Sequence, residues 1–345
     1  MPARRLRIAV LGCGSIGRRH LRNLHGLGAR QLLAFDPSAE ARATAVAETL
    51  VPSCGTLDEV WAWQPDVALV TAPPTSHVDL ALAAAERGCH LFIEKPLSHS
   101  TAGVDELAAV VARRGLVAMV ACNMRFHPGP AQVKALLQAR AVGEVISARI
   151  ESGSYLPQWR PHTDYARSYS ASPVGGGAIL DCIHEIDLAL WYFGPAETLA
   201  AAAVPARAIG LEVEGLAEIL LRHDSGVLSS VHLNFVQRDY RRGCTVVGTD
   251  GTIYWDFNND AVRHFRADGT RRELAQPAAW TVNDMYVAEI MHFLRCLETG
   301  EAPCCGIGDG LAALHVALAA RADATSPVAR LGAAHDDPAA AAEAR

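Results

Sequence analysis

The first third of the chain alternates short apolar runs with longer stretches in which apolar residues recur at helical spacing. This alternation is typical of a parallel sheet whose strands are joined by crossover helices. The run at 67–72 is apolar almost throughout, as expected for a strand covered on both faces. The predicted strands are 7–11, 31–35, 67–72, 90–94 and 117–121, and the predicted helices are 16–27, 38–48, 77–87 and 100–113.

The pattern of apolar and polar positions changes after residue 122. A helix at 128–139, a long strand at 144–155, a long loop and a helix at about 178–192 lead into strand-like segments between 197 and 275. This pattern indicates an open, mainly antiparallel sheet. We therefore predict an α/β Rossmann domain with a parallel sheet at 1–122, an α+β domain at 123–325 closed by helices at 284–299 and 309–322, the last packing back on the first domain, and a disordered tail at 326–345.

A glycine-rich turn follows the first predicted strand. Gly12, Gly14 and Gly17 have the spacing of a dinucleotide-binding loop. The first permits a tight turn, the second lets main chain approach a pyrophosphate, and the third lets the next helix pack closely. The amides that open this helix, near Ser15 and Ile16, point at the phosphates.

Coenzyme selectivity is predicted from Asp36, which ends the next apolar run about 20 residues further on. A carboxylate there accepts hydrogen bonds from an adenosine ribose and repels a 2′-phosphate. We therefore predict NAD rather than NADP, with Arg42 as a cation that could still accommodate the phosphate.

Polar residues also follow three further strands, at the sheet edge where ligands bind in such folds. These strand ends should border one crevice. The predicted coenzyme contacts there are Thr71, Pro73, His77, Glu94 and Lys95, and the predicted substrate contacts are Asn123 and Arg125.

Lys95 stands out because Lys95 and Lys134 are the only lysines among 31 Lys and Arg residues. Arginine cannot lose a proton near neutral pH, whereas a desolvated lysine can. We predict that Lys95 accepts the hydroxyl proton when a hydride leaves an alcohol, or holds the oxygen while a neighbour accepts the proton. The alternative is that Lys95 pairs with Glu94 or caps a helix.

A second cluster follows the triple glycine at 175–177, which would let main chain approach a ligand. Asp181 lies three positions before His184, so on one helix the carboxylate can orient the imidazole and raise its basicity. A metal site using Asp181, His184 and Glu185 is the weaker interpretation, because there is no HExxH and no second histidine at ligand spacing. We predict no metal.

The motifs together resemble the Gfo/Idh/MocA oxidoreductases over residues 5–322. The resemblance implies NAD(P)-dependent oxidation of sugars and polyols, a C-terminal sheet that forms a homodimer or homotetramer, and catalytic roles for Lys95, His184 and Asp181. The commoner family pattern has the aspartate four residues before the histidine, and here the spacing is three. The segments that carry the resemblance are GCGSIGRRH at 12–20, TAPPTSH at 71–77, EKP at 94–96, NMRFHP at 123–128 and GGGAILDCIHEIDLALWYFG at 175–194.

The loop before the His184 helix is aromatic and basic. Aromatic rings suit the C–H faces of a sugar, and arginine suits a carboxylate or phosphate. We therefore predict a sugar with an anionic or nucleotide substituent, although the loop could instead pack on itself or against another subunit. The predicted substrate contacts are Tyr155, Trp159, Arg160 and His184, and the loop also holds His162, Tyr165 and Tyr169.

Composition argues against several classes of binding partner. A net charge of −6 without a basic stripe argues against a nucleic-acid partner. No apolar run approaches the ~20 residues that cross a bilayer, so no membrane partner is predicted. Nine cysteines without a CxxC pair indicate buried thiols in a cytoplasmic protein. Two alternatives to a freely exchanging dehydrogenase stay open: a non-catalytic NAD-binding sensor or scaffold, and an enzyme that retains its coenzyme.

Overall fold

The computed structural model describes residues 5–159 and 164–324. Its first part is a six-stranded parallel sheet in which the strand order reverses beside the first strand. The strands are β1 (Arg7–Leu11), β2 (Gln31–Phe35), β3 (Ser53–Cys54), β4 (Val67–Val70), β5 (His90–Glu94) and β6 (Ala118–Ala121), and their order in the sheet is β3-β2-β1-β4-β5-β6.

Five helices cover this sheet, and four of them were predicted. The additional helix begins after Thr56, whose side chain forms a capping box with Glu59, and its preceding strand of two residues is too short to leave a periodic signal. The last helix begins later than predicted because Gly103 adopts a φ of +74°. The helices are α1 (Ser15–Gly26), α2 (Ala39–Thr49), α3 (Leu57–Ala62), α4 (His77–Ala85) and α5 (Val104–Arg114).

The second part is an eight-stranded sheet, antiparallel except for one parallel pair in its centre. The sheet order is β14-β13-β12-β11-β7-β10-β9-β8, and β7 and β10 form the parallel pair. The strands are β7 (Val145–Tyr155), β8 (Ala196–Pro205), β9 (Glu214–His223), β10 (Leu228–Asn234), β11 (Val236–Gly248), β12 (Gly251–Asp256), β13 (Ala261–Arg266) and β14 (Arg271–Ala275).

Helices pack against one face of this sheet, which we call its inner face, and along β9 buried and exposed residues alternate between the two faces. The predicted helix at 178–192 is two helices, and a short helix lies inside the predicted loop. The helices of this part are α6 (Pro128–Gln138), α7 (Leu156–Trp159), α8 (Ala178–Asp181), α9 (His184–Phe193), α10 (Val282–Thr299) and α11 (Ile307–Ala324).

The two parts share a core on one face of the first sheet. Phe293 of α10 packs edge-on against Phe92 of β5, with ring centroids 5.5 Å apart, and Ile290 joins the same apolar cluster. This packing joins α10, which follows the second sheet in the chain, to the first sheet. Within the described residues, none of the helices has both the length and the apolar character to cross a bilayer. The predicted tail at 326–345 lies outside the described residues.

Candidate active site

The glycine loop, which we define as residues 12–17, joins β1 to α1. Gly12 has a φ of +121°, which favours glycine, and a Cβ there would lie 2.7 Å from the main chain of Thr71 and Ala72. A Cβ at Gly17 would overlap the carbonyl oxygen of Gly12. Both glycines are therefore required by the close approach of α1 and β4 to this turn.

The start of α1 is open. Gly14 precedes the helix, no side chain caps it there, and a Cβ on Gly14 would meet no atom within 4 Å. The first amides of the helix, from Ser15 and Ile16 onward, suit an anion because they lack a capping side chain and lie at the positive end of the helix dipole. This geometry fits the pyrophosphate of a dinucleotide.

Asp36 lies beside the glycine loop at the end of β2. Its Oδ2 accepts the amide of Cys13 at 2.9 Å, and its Oδ1 accepts the amide of Ser38 at 2.8 Å. Each carboxylate oxygen keeps a lone pair for a ribose hydroxyl. The Arg42 guanidinium donates to the main-chain oxygen of Asp36 at 2.7 Å, so a cation stands near the same position.

Thr71 and His77 bond to main chain around the crevice. The Thr71 hydroxyl donates to the carbonyl oxygen of Gly12 at 2.7 Å. The His77 ring contacts the carbonyl oxygens of Ala72, at 2.7 Å, and Pro96, at 2.9 Å. Burial lowers the pKa of His77. Both side chains thus fix the loops that border the crevice.

Glu94 points toward α1. Its Oε1 lies 2.7 Å from Nε2 of the buried His20, and its Oε2 accepts the amide of Lys95 at 3.2 Å. The buried carboxylate therefore supports the strand end, and this geometry does not favour the predicted coenzyme contact. Pro73, which follows β4, is exposed at the same edge.

Lys95 reaches across to the second part of the chain and pairs with Asp181. Its Nζ donates to the main-chain oxygen of Asp181 at 2.7 Å and to Oδ1 at 3.2 Å. Burial alone would lower the pKa of Lys95, but the negative charges of Asp181 and Glu94 raise it above its ordinary value. Lys95 is therefore an ammonium ion at neutral pH.

The break between α8 and α9 makes this contact possible. In a continuous helix the carbonyl oxygen of Asp181 would accept the amide of Glu185. Here the Glu185 amide bonds to Cys182 instead, at 3.3 Å, which leaves the Asp181 oxygen for Lys95. The helix predicted over this segment thus ends where the lysine binds.

His184 begins α9, buried at 6% exposure. Burial, followed by the positive charges of Lys95 and Arg242, lowers its pKa well below the ordinary value. The imidazole is therefore neutral at pH 7, and its buried Nδ1 has no hydrogen-bond partner among the described residues. The predicted orientation of His184 by Asp181 is not seen, since both carboxylate oxygens of Asp181 bond to other groups.

The other two acids of the segment form buried ion pairs. Arg125 donates to Asp187 from Nε at 3.0 Å and from Nη2 at 2.6 Å, and Nη1 donates to the carbonyl oxygen of Cys304. Arg242 pairs with both oxygens of Glu185, at 2.7 and 3.1 Å. Arg125 therefore joins parts of the fold, and its role as a substrate contact stays a prediction. We call residues 181–187 the acidic segment.

The aromatic loop, which we define as residues 154–169, begins at the end of β7 in the second sheet. Tyr155 stacks under the Arg238 guanidinium at 3.9 Å from the ring centroid. Trp159 donates to the Ser154 hydroxyl at 2.8 Å and packs edge-on against Phe235. Part of the loop thus packs on the protein itself, as in the alternative interpretation. The predicted contact Arg160, together with His162, lies outside the described residues.

The loop then contacts Asp181. The Tyr169 hydroxyl donates to Oδ1 of Asp181 and the Ser170 hydroxyl donates to Oδ2, each at 2.6 Å. A Cβ on Gly176 would overlap the main chain of Tyr169 and Ser170, so this glycine admits the protein's own loop rather than a ligand. The sequence places Tyr169 in the loop predicted to lie near the substrate, but it carries no local signal that either hydroxyl binds Asp181.

Two further groups bear on ligand binding. Asn123 is buried after β6, and its Oδ1 has no hydrogen-bond partner among the described residues.

The other group is a cluster of possible metal ligands. Its ligand atoms lie within 4.8 Å of one another and belong to Cys122, Asp187 and Cys305. Both oxygens of Asp187 already bind the Arg125 guanidinium, which would repel a divalent cation.

Comparisons with known proteins identify the family of this chain. Residues 6–122 match the family model described as an oxidoreductase family with an NAD-binding Rossmann fold, and residues 131–254 match the GFO/IDH/MocA C-terminal domain. A dTDP-3,4-didehydro-2,6-dideoxy-alpha-D-glucose 3-reductase of Streptomyces antibioticus is 31% identical, and the match covers 74% of this chain and 77% of the relative.

Other relatives match nearly the whole chain. The scyllo-inositol 2-dehydrogenase (NAD(+)) of Bacillus subtilis is 27% identical, with 91% of this chain and 93% of that protein covered. The solved structure of levoglucosan dehydrogenase in complex with NADH and L-sorbose has the same fold, with a TM-score of 0.83 at 20% identity and coverage of 92% and 96%.

Proposed function

Because the chain belongs to the Gfo/Idh/MocA family of NAD-binding oxidoreductases, we propose that it moves a hydride between a nicotinamide coenzyme and a sugar, polyol or sugar derivative. The reaction interconverts a hydroxyl and a carbonyl group. The observation that carries the proposal is the pairing of an ammonium, Lys95, with Asp181 beside a neutral imidazole, His184.

The coenzyme supplies the group that accepts or donates the hydride. The glycine loop, through Gly12, Gly14 and Gly17, and the first amides of α1 would hold its pyrophosphate, and Asp36 would hold the adenosine ribose. We propose NAD rather than NADP on the position of Asp36. Asp36→Ala should lower the preference for NAD⁺ over NADP⁺ in kcat/KM, whereas an unchanged preference would contradict this assignment.

Lys95 and His184 divide the handling of the substrate oxygen. An ammonium has three N–H groups, and Asp181 takes two of those of Lys95, which leaves one for the substrate oxygen. A neutral His184 can accept the hydroxyl proton during oxidation. Its Nδ1 is enclosed, so we assign this proton to Nε2. Asp181 acts on Lys95 rather than on the histidine.

The substrate class follows from the loop and the crevice. We propose that Tyr155, Trp159 and Asn123 contact the sugar, and that Arg238, stacked on Tyr155, favours an anionic or nucleotide-linked substituent. Equal turnover of neutral sugars and their phosphate- or nucleotide-linked forms would contradict the preference for an anion.

A panel assay tests the function. Purified protein, NAD⁺ and a set of inositols, pentoses, anhydrosugars and nucleotide sugars should produce absorbance of reduced nicotinamide with at least one compound. Coenzyme binding without turnover across the panel would instead favour a sensor or scaffold. Nucleotide released on denaturation of the untreated protein would indicate a retained coenzyme.

We also propose a homodimer or homotetramer formed through the outer face of the second sheet, in the cytoplasm. The support for the assembly is a set of exposed apolar side chains on that face. The support for the cytoplasmic location is that all nine cysteines are free thiols. Light scattering of the purified protein tests the assembly. The exposed side chains are Leu220, Leu228, Val247, Tyr254 and Phe265.

A further inference from the structure

The hydrogen bonds that the Asp181 carboxylate accepts differ in length. Two hydroxyl groups bind its carboxylate at 2.6 Å, Tyr169 on Oδ1 and Ser170 on Oδ2, which is the length of a charge-assisted O–H···O⁻ bond. The Lys95 ammonium reaches the same Oδ1 only at 3.2 Å, and its shorter contact, 2.7 Å, is to the main-chain oxygen. The phenol and the ammonium therefore share Oδ1, and the phenol makes the shorter contact.

We propose that Tyr169 is a positioning residue for the reaction: its hydroxyl shares Asp181 Oδ1 with Lys95 and so sets where the remaining N–H of the ammonium points. This role rests on the proposed function. Without the phenol, Oδ1 regains a free lone pair next to the ammonium. Lys95 then moves closer to Asp181 and away from the substrate oxygen, so the chemical step slows.

The loop geometry holds Tyr169 in this position. Tyr169 and Ser170 begin a short 3-10 turn, and the Gly177 amide donates to the carbonyl oxygen of Ser170 at 2.9 Å. Gly176 lies so close that any Cβ would overlap this main chain. The two hydroxyls are thus fixed relative to the same segment that carries Asp181.

Tyr165 provides a matched control. It lies in the preceding 3-10 turn, and its hydroxyl donates to the carbonyl oxygen of Ile209 at 2.9 Å, away from Asp181. Tyr165→Phe and Tyr169→Phe therefore each remove one phenol hydroxyl from the same loop. Only Tyr169→Phe removes a hydroxyl that binds Asp181, the partner of Lys95. Ser170→Ala removes the bond to the carboxylate oxygen that Lys95 does not touch.

The test compares these variants with the wild type in kcat, KM and the primary deuterium isotope effect, using the panel sugar that the wild type oxidises fastest. Tyr169→Phe should lower kcat by about 10- to 100-fold, with KM for NAD⁺ and sugar within about twofold, and should raise the isotope effect. A loss of folded protein would lower kcat without changing the isotope effect. Ser170→Ala should have a smaller effect of the same kind, and Tyr165→Phe should resemble the wild type.

The result that overturns the proposal is a Tyr169→Phe variant with wild-type kcat and isotope effect, or one that cannot be distinguished from Tyr165→Phe. If the wild type itself oxidises no sugar in the panel, the proposed function fails and this role fails with it. An active wild type with an unaffected Tyr169→Phe variant overturns the role of Tyr169 alone.

Discussion

The glycine loop and the acidic segment prepare the crevice by opposite means. The loop works through missing side chains: Gly12 and Gly17 remove steric overlap, and Gly14 leaves space for a ligand. The acidic segment works through charge, and each of its three acids binds a different cation. Those cations lie 86, 62 and 57 residues away in the chain. One region is thus built locally, and the other joins distant parts of the fold.

Within the acidic segment, exposure separates the Lys95–Asp181 pair from the Arg125–Asp187 pair. The Lys95 side chain is 17% exposed, whereas that of Arg125 is 3% exposed and bound on both sides of its guanidinium. A guanidinium buried to this degree and held by two partners is not available to a substrate. Asp181 is therefore expected to govern activity, and Asp187 is expected to govern stability.

The largest expected effect is on Lys95. Lys95→Ala should lower kcat by about 10³-fold, because it removes the donor that holds the substrate oxygen, while NADH binding stays within a few-fold. Stopped-flow turnover and calorimetric NADH binding measure the two quantities. Lys134→Gln is the control, since Lys134 bonds to the main chain of Trp191. Equal activity of the two variants would contradict the division between reactive and structural pairs.

Asp187→Asn tests the structural pair. It leaves the Arg125 guanidinium buried without its counter-ion, which should lower the free energy of unfolding by about 3–5 kcal/mol. Urea denaturation measures this change. A variant as stable as the wild type, yet inactive, would show that Arg125 and Asp187 serve the reaction instead.

The glycine loop is tested by a pair of alanine variants. Gly17→Ala should lower the free energy of unfolding by about 1–3 kcal/mol and weaken NADH binding, because its Cβ overlaps the carbonyl oxygen of Gly12. Gly14→Ala should weaken NADH binding without a change in melting temperature, since its Cβ meets no protein atom. Equal losses of stability in both would show that the space at Gly14 is not reserved for a ligand.

The smallest effect is on pH dependence. Burial and the charges of Lys95 and Arg242 lower the pKa of His184 below its ordinary 6.5, so the neutral base persists at pH 6.5. The rate of sugar oxidation should stay level from pH 8 to 6.5 and then fall by about tenfold per unit below the pKa of His184. An acid limb above pH 7 would contradict the neutral imidazole.

The lowered pKa of His184 also makes the free energy of unfolding depend on pH. Between the two pKa values the unfolded chain binds a proton at His184 and the folded chain does not, so the free energy of unfolding falls as pH drops below 6.5. His184→Gln should therefore lose less stability between pH 7 and 5.5 than the wild type does. A parallel loss in both proteins would assign the acid sensitivity to other groups.

Much of this arrangement follows from the sequence alone. The alternation of apolar runs predicted five of the six strands of the first sheet, because each of these strands and its crossover helix carries its own period. The two residues of β3 are too few to leave such a signal. The glycine loop and Asp36 are local in the chain, so their spacing predicts their geometry. Lys95 was identifiable because the chain has so few lysines and this one follows a strand.

Only the tertiary structure decided how the charges pair. Asp181, Glu185 and Asp187 are close together in sequence, and Lys95, Arg125 and Arg242 could each have paired with any of them. The break between α8 and α9 and the position of Lys95 at the end of β5 select Lys95 for Asp181. Ion pairs leave no periodic pattern in a sequence, because a carboxylate attracts any nearby cation and the fold alone determines which one is near.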